Sequence, residues 1–349
     1  MTKVSPPSDL TDLSALRRYI RAADPEDRLD PLGLERLTIS DDVHLGVADV
    51  VGEALRDLQG NAGAGVVILK DDTSILRAGE DLTGLVEKQL AGRFRVEMVY
   101  LRDGHQTLHA DETVLDQATR AVSGADAIVT VGSGTITDIG KVASDRSGRM
   151  PLVAVQTAAS VDGFTDNVSV VLKSGVKRTI PSVWPHAVLA DTITIGGAPH
   201  QMNMAGFGEA ITLFTAPADW YLASLVGLDT TFHPAALDIL IAAGGSPGVW
   251  ADGVAKGDPA AVEKLVRLLA VRGMVTGIIG TTACLSGVEH VVSHMLDLHQ
   301  MANGRPIGLH GAQVGIGTII AATAWHHAMS AGVVTARRLR RPDLAVAEQ

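Results

Sequence analysis

Four of the twelve histidines in this chain fall between residues 290 and 310: His290, His294, His299 and His310. His290 and His294 are four residues apart and so share one face of a helix. His310 follows the Gly-containing stretch 303–308 and opens the next apolar run. Two helices meeting there can present His290 and His310 to one ion. Imidazole suits zinc, nickel and iron, and a carboxylate as third ligand leaves positions open for water or substrate. Glu209, in AGFGEAITLFTAPADW (205–220), is a candidate for that carboxylate. The glycines before it read as a helix start, where an acid also stabilises the N-terminus, so both roles stand for Glu209. His326 and His327 read as helix surface, and the other histidines are scattered.

Two further segments could bind anions or polar groups. VGSGTITDIGK (131–141) ends a strand, places Gly132 and Gly134 around Ser133, and begins a helix. Glycine lets the backbone approach a pyrophosphate, and free amides at a helix start face an anion. The same pattern also serves as a plain strand-to-helix turn. QTAASVDGFTDN (156–167) follows a second apolar run and offers Thr157, Ser160 and Asp162. It reads either as a ligand loop or as a polar loop whose Asp162 caps a turn.

These groups need a frame. Apolar runs at 65–70, 95–101, 127–131, 151–155 and 187–190 read as strands, and helical spacing falls at 13–22, 47–58, 82–90 and 111–122. Strands separated by helices imply a mostly parallel sheet covered on both faces. The first 40 residues otherwise read as an irregular lead-in. Beyond 192 the helical stretches 203–224, 234–243, 259–286, 287–300 and 310–331 dominate, and the last dozen residues are charged. The expected organisation is an α/β domain over 1–192 and an all-helical domain over 193–349.

Composition narrows the function. The 349 residues are 46% hydrophobic but 3% aromatic, so aliphatic side chains fill the core, and 37 glycines suit a close-packed α/β enzyme. The net charge of −10 argues against nucleic-acid and acidic-membrane partners and requires local cations for an anionic substrate. Cys284 is the single cysteine, which excludes an internal disulfide and a cysteine zinc cage and suits a small buried residue. No apolar signal core opens the chain and no run of about 18 apolar residues appears, so the expected location is the cytoplasm.

Taken in order, these motifs resemble the sn-glycerol-1-phosphate dehydrogenase family, within the iron-containing alcohol dehydrogenases, glycerol dehydrogenases and 3-dehydroquinate synthases. VGSGTITDIGK, TAASVDGF, AGFGEAITLFTAPADW, SGVEHVVSHMLD and LHGAQVGIGT carry the resemblance over about residues 45–325. It implies a dehydroquinate-synthase-like fold, with a Rossmann-like sheet domain followed by a helical one. It implies NAD or NADP and one divalent ion, zinc first, then iron or nickel. Glu209, His290 and His310 would hold the metal. Gly132, Ser133, Gly134, Thr135, Ile136, Asp138, Thr157, Ala158, Ala159, Ser160 and Asp166 would contact the cofactor. Asp162 would contact substrate, and His294 would lie beside it.

Three residues depart from the family pattern: Glu209 where the dehydrogenases usually carry Asp, Leu213 where many have Lys, and Asp166 where Ser is usual. The implied reaction is hydride transfer between nicotinamide and a small polyol phosphate, dihydroxyacetone phosphate or sn-glycerol 1-phosphate, by a homo-oligomer. An unphosphorylated polyol, a cyclitol and a dehydroquinate-synthase-like cyclisation are the alternatives. Lys177, Arg178 and Arg305 are candidate phosphate partners. Asp71 and Asp72, after the first strand, would favour NAD over NADP.

Overall fold

A computed structural model describes residues 4–56, 63–105, 107–173 and 175–334. The expected helical residues 57–58 and the charged last dozen residues lie outside the described residues. In chain order the described strands are β1 (Arg36–Ser40), β2 (Gly65–Lys70), β3 (Leu76–Arg77), β4 (Glu80–Asp81), β5 (Arg95–Tyr100), β6 (Ala127–Gly132), β7 (Leu152–Gln156), β8 (Val168–Lys173), β9 (Val176–Pro181) and β10 (Ala187–Asp191). The helices are α1 (Leu13–Ala23), α2 (Val47–Ala54), α3 (Leu82–Ala91), α4 (Glu112–Ala121), α5 (Gly134–Arg146), α6 (Thr192–Gly196), α7 (His200–Ala210), α8 (Ala216–Leu225), α9 (Pro234–Gly244), α10 (Ala251–Lys256), α11 (Pro259–Ile279), α12 (Val288–Ala302) and α13 (His310–Ser330).

The main sheet runs β1-β10-β7-β6-β2-β5, with every pairing parallel. β6, β7 and β10 are buried along their whole length, as strands covered on both faces must be. Val47, Val50 and Val51 of α2 and Leu82, Val86 and Leu90 of α3 cover one face. Val114, Leu115 and Ala118 of α4 and Ile136 and Ile139 of α5 cover the other. The chain steps from β2 out to β5, then returns to lay β6 on the opposite side of β2. The order therefore reverses between β2 and β6, and ligands of such sheets bind outside the strand ends at that reversal.

Every described element after β10 is helical. The N-terminal segment joins that layer: Leu13, Leu16, Tyr19 and Leu34 share one apolar cluster with Ile239 of α9 and Leu265, Leu269 and Met274 of α11. Tyr19 donates its hydroxyl to Ala235 O at 3.3 Å, and Asp30 N–H donates to Ile278 O at 2.7 Å.

Several expectations need correction. The lead-in contains β1, an edge strand of the main sheet. The segments 168–173 and 176–181 pair antiparallel as β8 and β9. The stretch 203–224 is two helices, broken by a 3₁₀ turn at Ile211–Phe214 and by Thr215. The stretch 259–286 is helical to Ile279, where Gly280 at φ 73° caps it, and then turns through Thr282–Cys284.

Candidate active site

Three helix ends meet beside the sheet. Glu209 is the penultimate residue of α7, His290 lies in the first turn of α12, and His310 is the first residue of α13. Glu209 thus stands at a helix C-terminus, not at the start expected from the glycines before it. An acid is disfavoured there by the helix dipole, so the charge–dipole role expected of Glu209 is removed.

The glycines serve packing instead. A Cβ on Gly208 would overlap the Gly311 carbonyl oxygen, and one on Gly311 would overlap that of Ala205. Bare backbone at both positions lets α7 and α13 touch and sets Glu209 against His310. Gly311→Val is expected to lower stability by about 1–3 kcal/mol, the usual range for overpacking, and to weaken metal binding. Thermal unfolding and a zinc titration of the variant check this; unchanged behaviour in both would show that the helices can separate freely.

Glu209 Oε1 lies 3.2 Å from His290 Nε2, and Oε2 lies 3.7 Å from His310 Nε2. One ligand atom from each of the three residues lies within 4.8 Å of the others. The other nitrogen of each ring is tied down. His290 Nδ1 is 3.1 Å from Glu289 Oε1. His310 Nδ1 is 3.1 Å from Ser293 Oγ, which itself donates to Gln313 Oε1 at 2.8 Å. Glu289 can accept but not donate, so His290 carries hydrogen on Nδ1. Both rings turn Nε2 toward Glu209, as metal-binding imidazoles turn theirs toward the ion. Glu209 Oε2 is buried without a hydrogen-bond partner.

The charges suit a cation. Burial works against ionised Glu209, but His290, His310 and Arg272 hold its carboxyl well below the usual range. Burial also opposes His290 protonation, yet Glu209 and Glu289 raise it to about 9. Burial lowers His310 to about 4, with His290 and Lys177 adding to the effect against Glu209. The carboxylates of Glu209 and Glu289 thus favour positive charge at His290, as a divalent cation would supply.

Two residues extend the site. Asp162 accepts from Arg272 Nε at 3.0 Å, and burial pushes its pKa up despite that partner, with Glu209 adding to the rise. His294 is exposed one turn along α12, its ring stacked near His310 at 5.9 Å. Burial and His290 lower its pKa. Of the three expected phosphate partners, Lys177 comes nearest: its Nζ donates to Asp297 Oδ2 at 2.9 Å across from β9 to α12. Arg178 and Arg305 are exposed.

The glycine turn lies at the carboxyl end of β6, at the strand-order reversal. Ser133 makes no side-chain cap, so the first-turn amides of α5, including those of Gly134, Thr135 and Ile136, have no cap from that residue. Thr157 N–H donates to Gly132 O at 3.1 Å and ties the second loop alongside. Ala158 and Ala159 are buried there, Ser160 is half-buried, and Ala159 N–H donates to Asn203 Oδ1 at 3.2 Å. Asp138 and Asp166 turn their carboxylates to buried Lys141, at 3.0 and 2.7 Å. Burial pushes Asp166 up to about 7 against the pull of Lys141.

Sequence reasoning missed Arg272, Glu289 and Ser293. Arg272 inside the apolar run LLAVRGMV and an acid next to His290 were the available signals.

The geometry has relatives. The iron-containing alcohol dehydrogenase family model matches residues 42–199. A probable glycerol dehydrogenase from Sinorhizobium meliloti superposes with a TM-score of 0.62 at 19% identity, over 82% of this chain and 75% of that one, a likeness of fold. A glycerol-1-phosphate dehydrogenase [NAD(P)+] from Halalkalibacterium halodurans is 34% identical over 258 residues, 73% of this chain, which spans 63% of that protein's length. The protein of the same name from Thermococcus kodakarensis is 32% identical over 75% of this chain and 71% of its own length. Identity on that scale, carried over both the sheet with its glycine turn and much of the helical layer, makes this chain a member of the glycerol-1-phosphate dehydrogenase family.

Proposed function

We propose that the chain is a metal-dependent dehydrogenase that passes hydride between NAD(H) or NADP(H) and a three-carbon polyol phosphate, dihydroxyacetone phosphate or sn-glycerol 1-phosphate. The observation that carries this is the convergence of Glu209 and the two Nε2 atoms of His290 and His310, each ring fixed from behind. Glu209, His290 and His310 would hold the metal, with zinc the best match to two imidazoles and a carboxylate. A divalent cation there supplies Lewis-acid stabilisation of the oxygen that gains charge, and the nicotinamide supplies or accepts the hydride.

The chain's own residues do the rest. The first-turn amides of α5 and the loop 157–160 would hold the dinucleotide at the strand reversal, with Gly132 leaving room for the backbone to close on it. Asp162 accepts a hydrogen bond from a substrate hydroxyl. His294, exposed beside His310, takes up or releases the proton toward solvent. Lys177 provides the positive charge for a phosphate, against a net charge of −10.

Asp72 does not stand free at the end of β2. Arg102 pairs with it, Nε to Oδ2 at 2.5 Å, with both side chains largely exposed. That cation offsets the repulsion of a 2′-phosphate expected from the acids alone, and we propose that both dinucleotides are used. Arg102→Glu is expected to lower kcat/KM with NADPH relative to NADH about tenfold, or 1.4 kcal/mol. Steady-state kinetics with both cofactors check it; an unchanged ratio means the ribose lies elsewhere.

The reading includes a cytoplasmic homo-oligomer. Exposed Val291, Met295, Ile316 and Ile319 give α12 and α13 apolar outer surface that a second copy could cover. Among the described residues no helix is long and apolar enough to cross a membrane.

The test is a substrate panel with zinc restored: dihydroxyacetone phosphate, dihydroxyacetone and a cyclic ketose, each with NADH and NADPH. The phosphate is expected to raise kcat/KM at least about tenfold. Equal constants with and without phosphate would sink the glycerol-phosphate reading.

A further inference from the structure

Arg272 has no exposed side-chain surface, although it lies in an apolar stretch of α11. A buried charge is costly unless it is paired and hydrogen-bonded. Its guanidinium meets three elements. Nε donates to Asp162 Oδ2 at 3.0 Å, Nη2 donates to Glu209 Oε1 at 3.1 Å, and Nη1 donates to Thr212 Oγ1 at 2.9 Å. Nη1 also reaches Ala210 O at 3.4 Å, at the end of α7. The next residue makes room for this arrangement: a Cβ on Gly273 would overlap Asp162 O and Thr165 Oγ1. The loop after β7 thus lies flat on α11, within reach of the guanidinium.

We infer that Arg272 is a positioning residue that sets the spacing between the Asp162 and Glu209 carboxylates. By engaging Oε1 of Glu209 it leaves Oε2, the oxygen facing His310, as the one without a partner. This rests on the proposed dehydrogenase reading, in which Asp162 meets substrate and Glu209 meets metal. The geometry needs a planar fork. A lysine ammonium is a point donor and cannot span Asp162, Glu209 and Thr212 together. If the residue did no more than neutralise buried acid, lysine would serve.

The experiment measures zinc affinity by chelator competition, kcat and KM for dihydroxyacetone phosphate at saturating zinc, and Tm, for the parent, Arg272→Lys and Arg272→Met. Arg272→Lys is expected to keep a Tm close to the parent's. Its zinc affinity is expected to fall at least about tenfold, the usual effect of losing a residue that orients a ligand. Its kcat/KM is expected to fall at least about tenfold as well, mostly in kcat. Arg272→Met is expected to lose as much activity and also Tm. Parental zinc affinity and kcat/KM in Arg272→Lys overturn the inference, as does failure of both variants to fold. A parent without zinc binding or turnover instead overturns the dehydrogenase reading itself.

Discussion

His290→Ala and His310→Ala are each expected to lose at least about a thousandfold in kcat, roughly 4 kcal/mol of transition-state stabilisation, while remaining folded. Each removes one of the three proposed ligands and would leave a set that cannot hold an ion firmly. The Lewis-acid contribution is worth several kcal/mol, which sets the scale of the loss. Folding survives because neither change orphans a core group. Glu289, the partner behind His290, keeps Gly287 N–H at 2.6 Å and Thr215 Oγ1 at 3.0 Å. Ser293, behind His310, keeps Gln313. His294→Ala supplies the contrast: it should lose rate but keep the metal, since its ring stacks on His310 without facing Glu209. Metal analysis of the purified variants, beside kcat and circular dichroism, checks all three. Full metal occupancy in His290→Ala would break the ligand assignment.

The second large effect is expected at Lys141, away from the metal ligands. Its ammonium is buried and bonded to Asp138, Asp166 and the carbonyls of Gly163 and Val168. Burial opposes its charge, but Asp138 and Asp166 raise its pKa. This cluster pins the loop after β7 to α5 and so holds the glycine turn beside Thr157. Lys141→Met takes the cation from two buried carboxylates, which keep only the N–H groups of Val170 and Val168, and a donor from two carbonyls. Breaking one partner out of a buried ion cluster costs about 3–5 kcal/mol, and that loss is the expected result in urea unfolding. Adding Asp166→Asn should recover part of it, because the amide is neutral without having to bind a proton once the ammonium is gone. A loss under about 1 kcal/mol in Lys141→Met would mean that water reaches the cluster.

The comparison of sequence with structure separates local signals from tertiary ones. β2, β6, β7 and β10 were legible because continuous apolar runs between turns suit a doubly covered parallel strand. β1, with the sequence RLTIS, was not: it is a half-buried edge strand with no full apolar run. The β8–β9 pair was not legible, because VSVVLK alternates only in part and VKRTIP is largely exposed, with no apolar run to mark it. The pair sorts its charges, turning Lys177 toward α12 and leaving Arg178 exposed.

At the site, His290 and His310 were legible from spacing, but Glu209 was placed at the wrong end of its helix. Glycines inside α7 looked like a helix start, whereas they mark where two backbones touch, which only the partner helix reveals. Thr215 and Pro217 signalled the break after Glu209 and were absorbed into one long helix. Arg272 could be seen as an odd charge, but its partners come from segments 110 and 63 residues away.

The central claim is that Glu209, His290 and His310 form one metal site. Titration of chelator-stripped protein with zinc, for the parent and for Glu209→Gln, tests it most directly. Gln keeps the size of the side chain and removes its charge. The account predicts one tightly bound ion per chain in the parent and an affinity lower by at least about a hundredfold in the variant, or 2.7 kcal/mol. Equal stoichiometry and affinity in the two proteins would contradict it.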